Sequence, residues 1–383
     1  MNVVQVSFFV DPQRRPPEQL LVDWFSLRDV AFAAACAGLH VSVVQACRVE
    51  RTFTRDGIDF HFITPNGALL TRRSRFAALL RNISPDIVHV HGLGFPREVI
   101  GLRELAPRTP IFLQDHADRP PRLLRRGLWR RGAACAAGVS FCAREQAEHF
   151  QRAGLFAPHT RIFELPESTT TFSPGDRAAS RAITGLHGDP AVLWVGHLDA
   201  NKDPLTVLEG ISVAARRLPG IQLWCCYGTA PLMPDVRARI ERDPALRGRV
   251  HLLGRVSRER VQELMRAADI FVHGSHREGG SFALVEALGS GLIPVVTDIP
   301  ALSALTGDGS VGALWRPGDA PALTQALCEI AARPRAAQHA RVLAHFESNV
   351  SFKAMGHRLL AAYQACALPA AVTAGAQTAA EAG

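Results

Sequence analysis

No stretch of this chain approaches the roughly 18 uninterrupted apolar residues that a membrane-spanning helix needs. The longest candidate, Leu20 to Val44, is broken by Asp23, Arg28 and Asp29, which argues against a transmembrane helix there. The opening MNVVQVSFFVDPQRR places Arg14 and Arg15 after the apolar run, the reverse of a secretory signal, so a cytoplasmic protein is expected. Among eight cysteines there is no Cys-x-x-Cys pair, and no His pair stands at zinc spacing. Buried thiols in a reducing compartment are therefore expected, and no metal site. Lysine is almost missing: of 43 basic residues only Lys202 and Lys353 are lysine. No internal repeat is found.

What is present describes a two-domain globular chain. Its 383 residues exceed the roughly 250 at which a single core stops growing. With 47% hydrophobic and 20% charged residues, a wholly disordered chain is excluded. The net charge is +8, and residues 1–175 hold 22 Arg against 16 acidic residues, so the N-terminal half is the side expected to meet an anionic partner.

Short β-branched or aromatic runs alternate with amphipathic helical patterns from end to end, the signature of parallel βαβ units. The fold class is α/β, with a Rossmann-like pattern in each half. The expected boundaries are an N-terminal domain over 1–165 and a Ser/Thr/Pro/Gly-rich linker over 166–190. A C-terminal domain over 191–345 follows, then a helix over 346–367 that packs back across the joint and a disordered tail over 368–383.

Three segments carry candidate chemistry. In SHREGGSFALVEALGSG, Ser275 to Gly291, Glu278 and Glu286 stand eight residues apart around Gly279-Gly280-Ser281. That run follows a strand and opens a helix, where free backbone N–H groups and the helix dipole favour a phosphate. A Gly-rich turn with two solvated glutamates fits the spacing equally well. In GHLDANKDPL, Gly196 to Leu205, His197 and Lys202 lie on a βα loop able to reach an anionic group at the carboxyl edge of a sheet. Gly254-Arg255-Val256 is a strand end turning through glycine into a helix, an ordinary turn when taken alone.

Taken together and in this order, the three segments resemble the retaining, nucleotide-sugar-dependent glycosyltransferases of the GT-B fold, family 4. The likeness is close over about 190–320 and loose in the N-terminal half. It implies two Rossmann-like domains facing across a donor and acceptor cleft. By that resemblance Glu278 contacts the donor sugar and Glu286 the ribose hydroxyls. Backbone N–H groups at Gly280, Ser281 and Phe282, behind Gly279, receive sugar and diphosphate oxygens. Lys202 and His197 neutralise the diphosphate, and Gly254, Arg255 and Val256 line the base side. His116, in Gln114-Asp115-His116, is the best match to a histidine that the family places near the sugar, with His89 and His91 as runners-up.

The absence of an Asp-x-Asp motif fits a metal-independent reaction, and no cofactor beyond the nucleotide-sugar donor is expected. Three departures stand out: His197 replaces an arginine, DPQRRPP (Asp11 to Pro17) replaces a Gly-Gly loop, and ESTTT (Glu167 to Thr171) replaces Asn-Gly-Val-Asp. The segment PRLLRRGLWRRG, Pro121 to Gly132, reads either as a solvated surface helix, which is favoured, or as a helix lying on an anionic membrane at the inner face. It lacks the interleaved aromatic platforms of a nucleic-acid binder. The expected activity is transfer of a sugar to a saccharide or lipid-linked acceptor in cell-surface glycan synthesis. The alternatives are a non-catalytic nucleotide-sugar-binding protein and a nucleotide-sugar epimerase or hydrolase.

Overall fold

A computed structural model describes residues 1–64, 70 and 74–368, so the expected tail lies outside the described residues apart from Leu368. Strands that are apolar on both faces need helices on both sides, and the chain forms two such sheets. The first contains β1 (Asn2–Ser7), β2 (His40–Ala46), β3 (Arg51–Arg55), β4 (Ile58–Ile63), β5 (Ile87–His91), β6 (Ile111–Gln114), β7 (Gly138–Phe141) and β8 (Arg161–Glu164). The second contains β9 (Ala191–Val195), β10 (Gln222–Cys226), β11 (Val250–Gly254), β12 (Ile270–His273), β13 (Ile293–Thr297) and β14 (Ala313–Trp315). Their orders are β3-β4-β2-β1-β5-β6-β7-β8 and β11-β10-β9-β12-β13-β14.

Every pairing in the second sheet is parallel, and in the first only β3–β4 is antiparallel. Alternate residues of β1 feed opposite cores: Val3 packs with Val30, Phe60 and Leu359, whereas Val4 and Val6 pack with Phe76 and Val139. Both orders contain a parallel switch point, between β1 and β5 and between β9 and β12. Such a point opens a crevice at the carboxyl ends of the strands, and the loops that follow β9 and β12 meet there.

Four features depart from the reading of the sequence. β3 adds an antiparallel hairpin to the parallel βαβ pattern, closed by Asp56 (φ 52°) and Gly57 (φ 74°), the left-handed pair that a tight hairpin turn requires. The segment 166–190 is not a loose linker, because Ser168, Thr169, Thr170 and Phe172 are buried and Arg177–Thr184 forms a helix. Asp176 caps that helix through Ala179 N at 2.9 Å, and Gly185 ends it in the left-handed region. The C-terminal helix is two helices: Arg335–Asn349 packs Val342 and Phe346 into the second domain, and Phe352–Ala367 packs Met355, Leu359 and Tyr363 into the first. Gly356 permits this return, since a Cβ there would lie 2.1 Å from the carbonyl oxygen of Ala33. Eight free thiols are present; Cys36 is exposed and Cys135 half-buried, against the expectation of uniform burial.

Asp269, buried at the start of β12, ties these additions to the second sheet. Its carboxylate lies 2.6 Å from Arg177, 3.0 Å from Arg181 and 3.4 Å from Arg335, and it accepts from Ala191 N at 2.8 Å. Removing it leaves three guanidinium groups around an emptied, partly buried space. Asp269→Ala should therefore cost about 1–3 kcal/mol, the penalty for leaving the buried Ala191 N–H without its acceptor, since the guanidinium groups keep part of their hydration. Chemical denaturation followed by Trp fluorescence measures this; a loss under 1 kcal/mol would reduce the cluster to surface pairing.

Candidate functional site

The loops after β9 and β12 are sewn together by backbone and side-chain hydrogen bonds. His276 N donates to Asn201 O (2.8 Å), Asn201 Nδ2 donates to Arg277 O (3.0 Å), and His276 Nε2 lies 3.0 Å from Asp203 Oδ2. Lys202 N donates to Asp199 Oδ1 at 2.9 Å, which fixes the first loop. This arrangement joins the Lys202 ammonium to Glu278 Oε1 in an ion pair, although the two residues are far apart in sequence. Ser275 Oγ also donates to Glu278 Oε1, and His273 Nε2 lies 3.3 Å from Ser275 Oγ. Burial, and then the charge of Lys202, hold His273 well below the ordinary imidazole range, so it is a neutral support.

Across the interface the N-terminal domain presses directly on Gly279-Gly280. A Cβ on Gly279 would lie 2.4 Å from Ala117 Cβ and 2.6 Å from Ala117 N. On Gly280 it would lie 2.6 Å from Glu167 Oε2. Gln146, on the helix Arg144–Arg152, donates Nε2 to the carbonyls of Glu278 (2.9 Å) and Gly279 (2.8 Å), while its Oε1 accepts from Ala143 N (2.8 Å). The two glycines are thus required by domain contact, independently of any phosphate. A cavity of about 600 Å³ adjoins this contact, lined among others by Asp115, Asp118, Gln146, His149, Arg277 and Glu278. Burial, reinforced by the charge of Asp118, pushes Asp115 up to about 7.

His116 follows β6 and its Nδ1 lies 2.8 Å from Glu167 Oε1. Its Nε2 is 3.1 Å from His91 Nδ1, so two of the three candidate histidines share one network. His89 stacks on His91 at 4.4 Å and bonds Tyr363 OH at 2.7 Å. Both His89 and His91 are held neutral by burial first, then by neighbouring imidazoles, His89 at about 3. Burial opposes a charge on His116, but Glu167, Asp115 and Asp118 outweigh it, and its pKa is raised.

Glu286 is buried on the helix Phe282–Gly289, which Ser281 caps through Leu284 N. It is ion-paired with Arg258, whose guanidinium lies 3.8 Å over the Phe25 ring and 4.6 Å over that of Phe172. Phe25, from the first domain, also meets Phe282 edge-on at 5.3 Å. Burial, opposed by Arg258, raises Glu286 to about 7. Gly254 (φ 71°) turns the chain so that Val256 packs inward and Arg255 remains exposed, just before Arg258. His197 is exposed, and its Nδ1 accepts from Thr229 N at 3.1 Å.

Arg258, Phe25, Gln146 and Glu167 were not singled out from sequence as site residues. Gln146 carried a signal, as the N3 residue of a helix start; the others reach the site only through domain packing. The Pro121–Gly132 segment is a 3₁₀ turn, Leu123–Arg125, followed by a helix, Arg126–Ala133, rather than one helix. Leu123 and Leu124 are 75% and 101% exposed. Among the described residues no group of three or more His, Cys, Asp or Glu is placed to hold a metal ion. No helix among them is long and apolar enough to cross a membrane.

Gly279→Ala tests the contact. Ala117 presents backbone to the new methyl and cannot rotate away, so the domains should be held apart. Small-angle scattering should show a larger radius of gyration with unchanged circular dichroism. Identical scattering would mean that the contact is not what closes the molecule.

Residues 189–333 match the family described as "Glycosyl transferases group 1". D-inositol 3-phosphate glycosyltransferase of Nocardia farcinica is 32% identical over 168 residues, covering 42% of this chain and 37% of that protein. GDP-mannose:cellobiosyl-diphosphopolyprenol alpha-mannosyltransferase of Xanthomonas campestris is 27% identical over 242 residues, 60% of each. The chain therefore matches less than two thirds of the length of these curated relatives. Among solved structures, sucrose-phosphate synthase from Thermosynechococcus elongatus superposes with a TM-score of 0.66 at 18% identity, covering 95% of this chain and 98% of that one. Anabaena HepE in complex with UDP gives 0.68 at 16%, covering 95% and 100%. At such identities the likeness is one of fold, and the fold is GT-B.

Proposed function

We propose that this chain, whose residues 189–333 match the group 1 glycosyltransferases, moves a sugar from a nucleoside diphosphate to a saccharide or lipid-linked acceptor, with retention of configuration. The observation that carries this reading is the Lys202–Glu278 pair at the switch point of the second sheet, facing the His116 loop across Gly279. Before donor binds, each charge satisfies the other. An arriving diphosphate draws the ammonium to itself and releases the Glu278 carboxylate to accept from sugar hydroxyls. Lys202 then supplies fixed positive charge where negative charge develops on the leaving group, so the reaction needs neither a metal ion nor a cofactor. Gly280, Ser281 and Phe282 offer backbone N–H groups at a helix start, and Glu286 takes the ribose hydroxyls once Arg258 yields.

Incubation with labelled nucleotide sugars and candidate acceptors tests the reading. An acceptor-linked product with the donor's anomeric configuration supports it, and an inverted product removes retention. Binding without turnover would make the chain a nucleotide-sugar-binding protein, and free or isomerised sugar a hydrolase or epimerase. A thermal-shift screen of UDP, GDP, ADP and dTDP selects the base, because a ligand of the native state raises stability by mass action.

The two carboxylates should separate experimentally. Glu286→Ala should weaken nucleoside diphosphate binding by ~1–3 kcal/mol in calorimetry, the range for hydrogen bonds to a charged group. Glu278→Ala should leave that affinity unchanged or tighten it, since Lys202 is freed, while turnover collapses. Equal damage to binding in both would reverse the assignment.

The exposed Leu123 and Leu124, flanked by exposed Arg122 and Arg125, support a peripheral contact with an anionic membrane at the inner face, where a lipid-linked acceptor would be met. Co-sedimentation with anionic vesicles at low salt should exceed that with neutral vesicles, and Leu124→Asp should reduce it. No preference for anionic lipid would favour a soluble acceptor.

A further inference from the structure

Glu167 is the first residue of ESTTT, where the sequence departs from its family. Its carbonyl accepts from Gln114 Nε2 at 3.0 Å, which anchors the backbone to the end of β6. Its side chain then reaches two places at once: Oε1 meets His116 Nδ1 at 2.8 Å, and Oε2 fills the space beside Gly280, 2.6 Å from where a Cβ would stand. On the opposite edge of the imidazole, His116 Nε2 meets His91 Nδ1 at 3.1 Å, and His91 Nε2 meets Gln5 Oε1 at 3.2 Å.

Hydrogen-bond direction along this chain is constrained. An amide oxygen only accepts, so His91 donates from Nε2 to Gln5. His91 is neutral and fully buried, so its Nδ1 carries a lone pair and accepts from His116 Nε2. The carboxylate of Glu167 accepts from His116 Nδ1. An imidazole donating from both nitrogens is an imidazolium.

We propose that Glu167 is a positioning residue that, with His91, locks His116 by both ring nitrogens as a fixed cation beside the Gly279-Gly280 loop. The proposal rests on the transferase reading only for its kinetic consequence. Held in this way, His116 has no free lone pair and cannot act as a general base; its contribution is charge and shape. The charged or titratable groups facing it are Glu167 from the interdomain segment, Asp115 and Asp118 from its own loop, and His89 and His91 from β5.

Two measurements test this in the full-length chain, using Glu167→Gln, which keeps the side-chain shape and the backbone bond to Gln114. Nitrogen-15 NMR should show both His116 nitrogens protonated at pH 7 in the wild type, with a titration midpoint that falls in Glu167→Gln, since losing an opposite charge favours the neutral ring. A single-tautomer neutral His116 in the wild type, as a reversed Gln5 amide would give, overturns the proposal, and so does an unmoved midpoint. In the transfer assay kcat of Glu167→Gln should fall about tenfold at pH 8 with little change in KM, and the loss should narrow towards pH 6, where the ring is protonated without help. A loss equal at every pH would reduce Glu167 to a packing role. Because the NMR titration needs no turnover, its failure sinks the lock, whereas a sound titration with no transferase activity sinks the functional premise. If Glu167→Gln does not fold, Glu167→Asp should reproduce the lowered midpoint in part, and an unchanged midpoint there also overturns the proposal.

Discussion

A methyl group has no room at Gly279 or Gly280, because Ala117 of the other domain and Glu167 of the interdomain segment already occupy the space. The rest of the candidate site depends on this close approach of two backbones. It brings the His116 loop within reach of the Lys202–Glu278 pair, lets Gln146 bridge to the carbonyls behind Glu278, and places Phe25 over Arg258. Neither domain alone holds the arrangement: the second supplies the cation and the carboxylates, the first a histidine held by another carboxylate.

The sheets are built from strands whose sequences announce them, and the second-domain half of the site was legible for the same reason. Short βα loops at a single switch point put Lys202 and Glu278 at adjacent strand ends, so the local motifs of GHLDANKDPL and SHREGGSFALVEALGSG carry most of the geometry. The scarcity of lysine made Lys202 conspicuous. The first-domain half was less readable because its partners are joined only by tertiary closure. Glu167 and His116 lie 51 residues apart, and no periodicity links them. Arg258 is the first residue of a helix capped by Ser257, and nothing local shows that two phenyl rings will enclose it. Local signals lie in Asp56-Gly57, which forms the β3–β4 hairpin, and in Asp176 and Gly185, which bound a helix too short to show a sustained period.

The arginine bias takes on a structural use in the folded chain. Guanidinium groups surround Asp269, pair with Glu286 between aromatic rings, and cap carbonyls such as Ile183 O and Thr184 O through Arg260. A planar cation with several donors can satisfy buried acceptors in several directions while its faces pack on phenyl rings, which an ammonium cannot do. At the end of the GHLDANK loop the chain instead uses lysine, whose compact ammonium pairs with Glu278.

The path of the backbone has a consequence for how such a molecule can be divided. Residues up to about 165 build the first domain, the chain leaves to build the second, and Phe352–Ala367 returns to fill the first core with Met355, Leu359 and Tyr363. The second domain is therefore a continuous insert within a discontinuous host. Cut at its two crossings it remains one segment, while its host becomes two pieces that must find each other. The same double crossing tethers the insert at both ends, so any opening between the domains is confined to a hinge about the line joining the tethers instead of a free swivel on a single string.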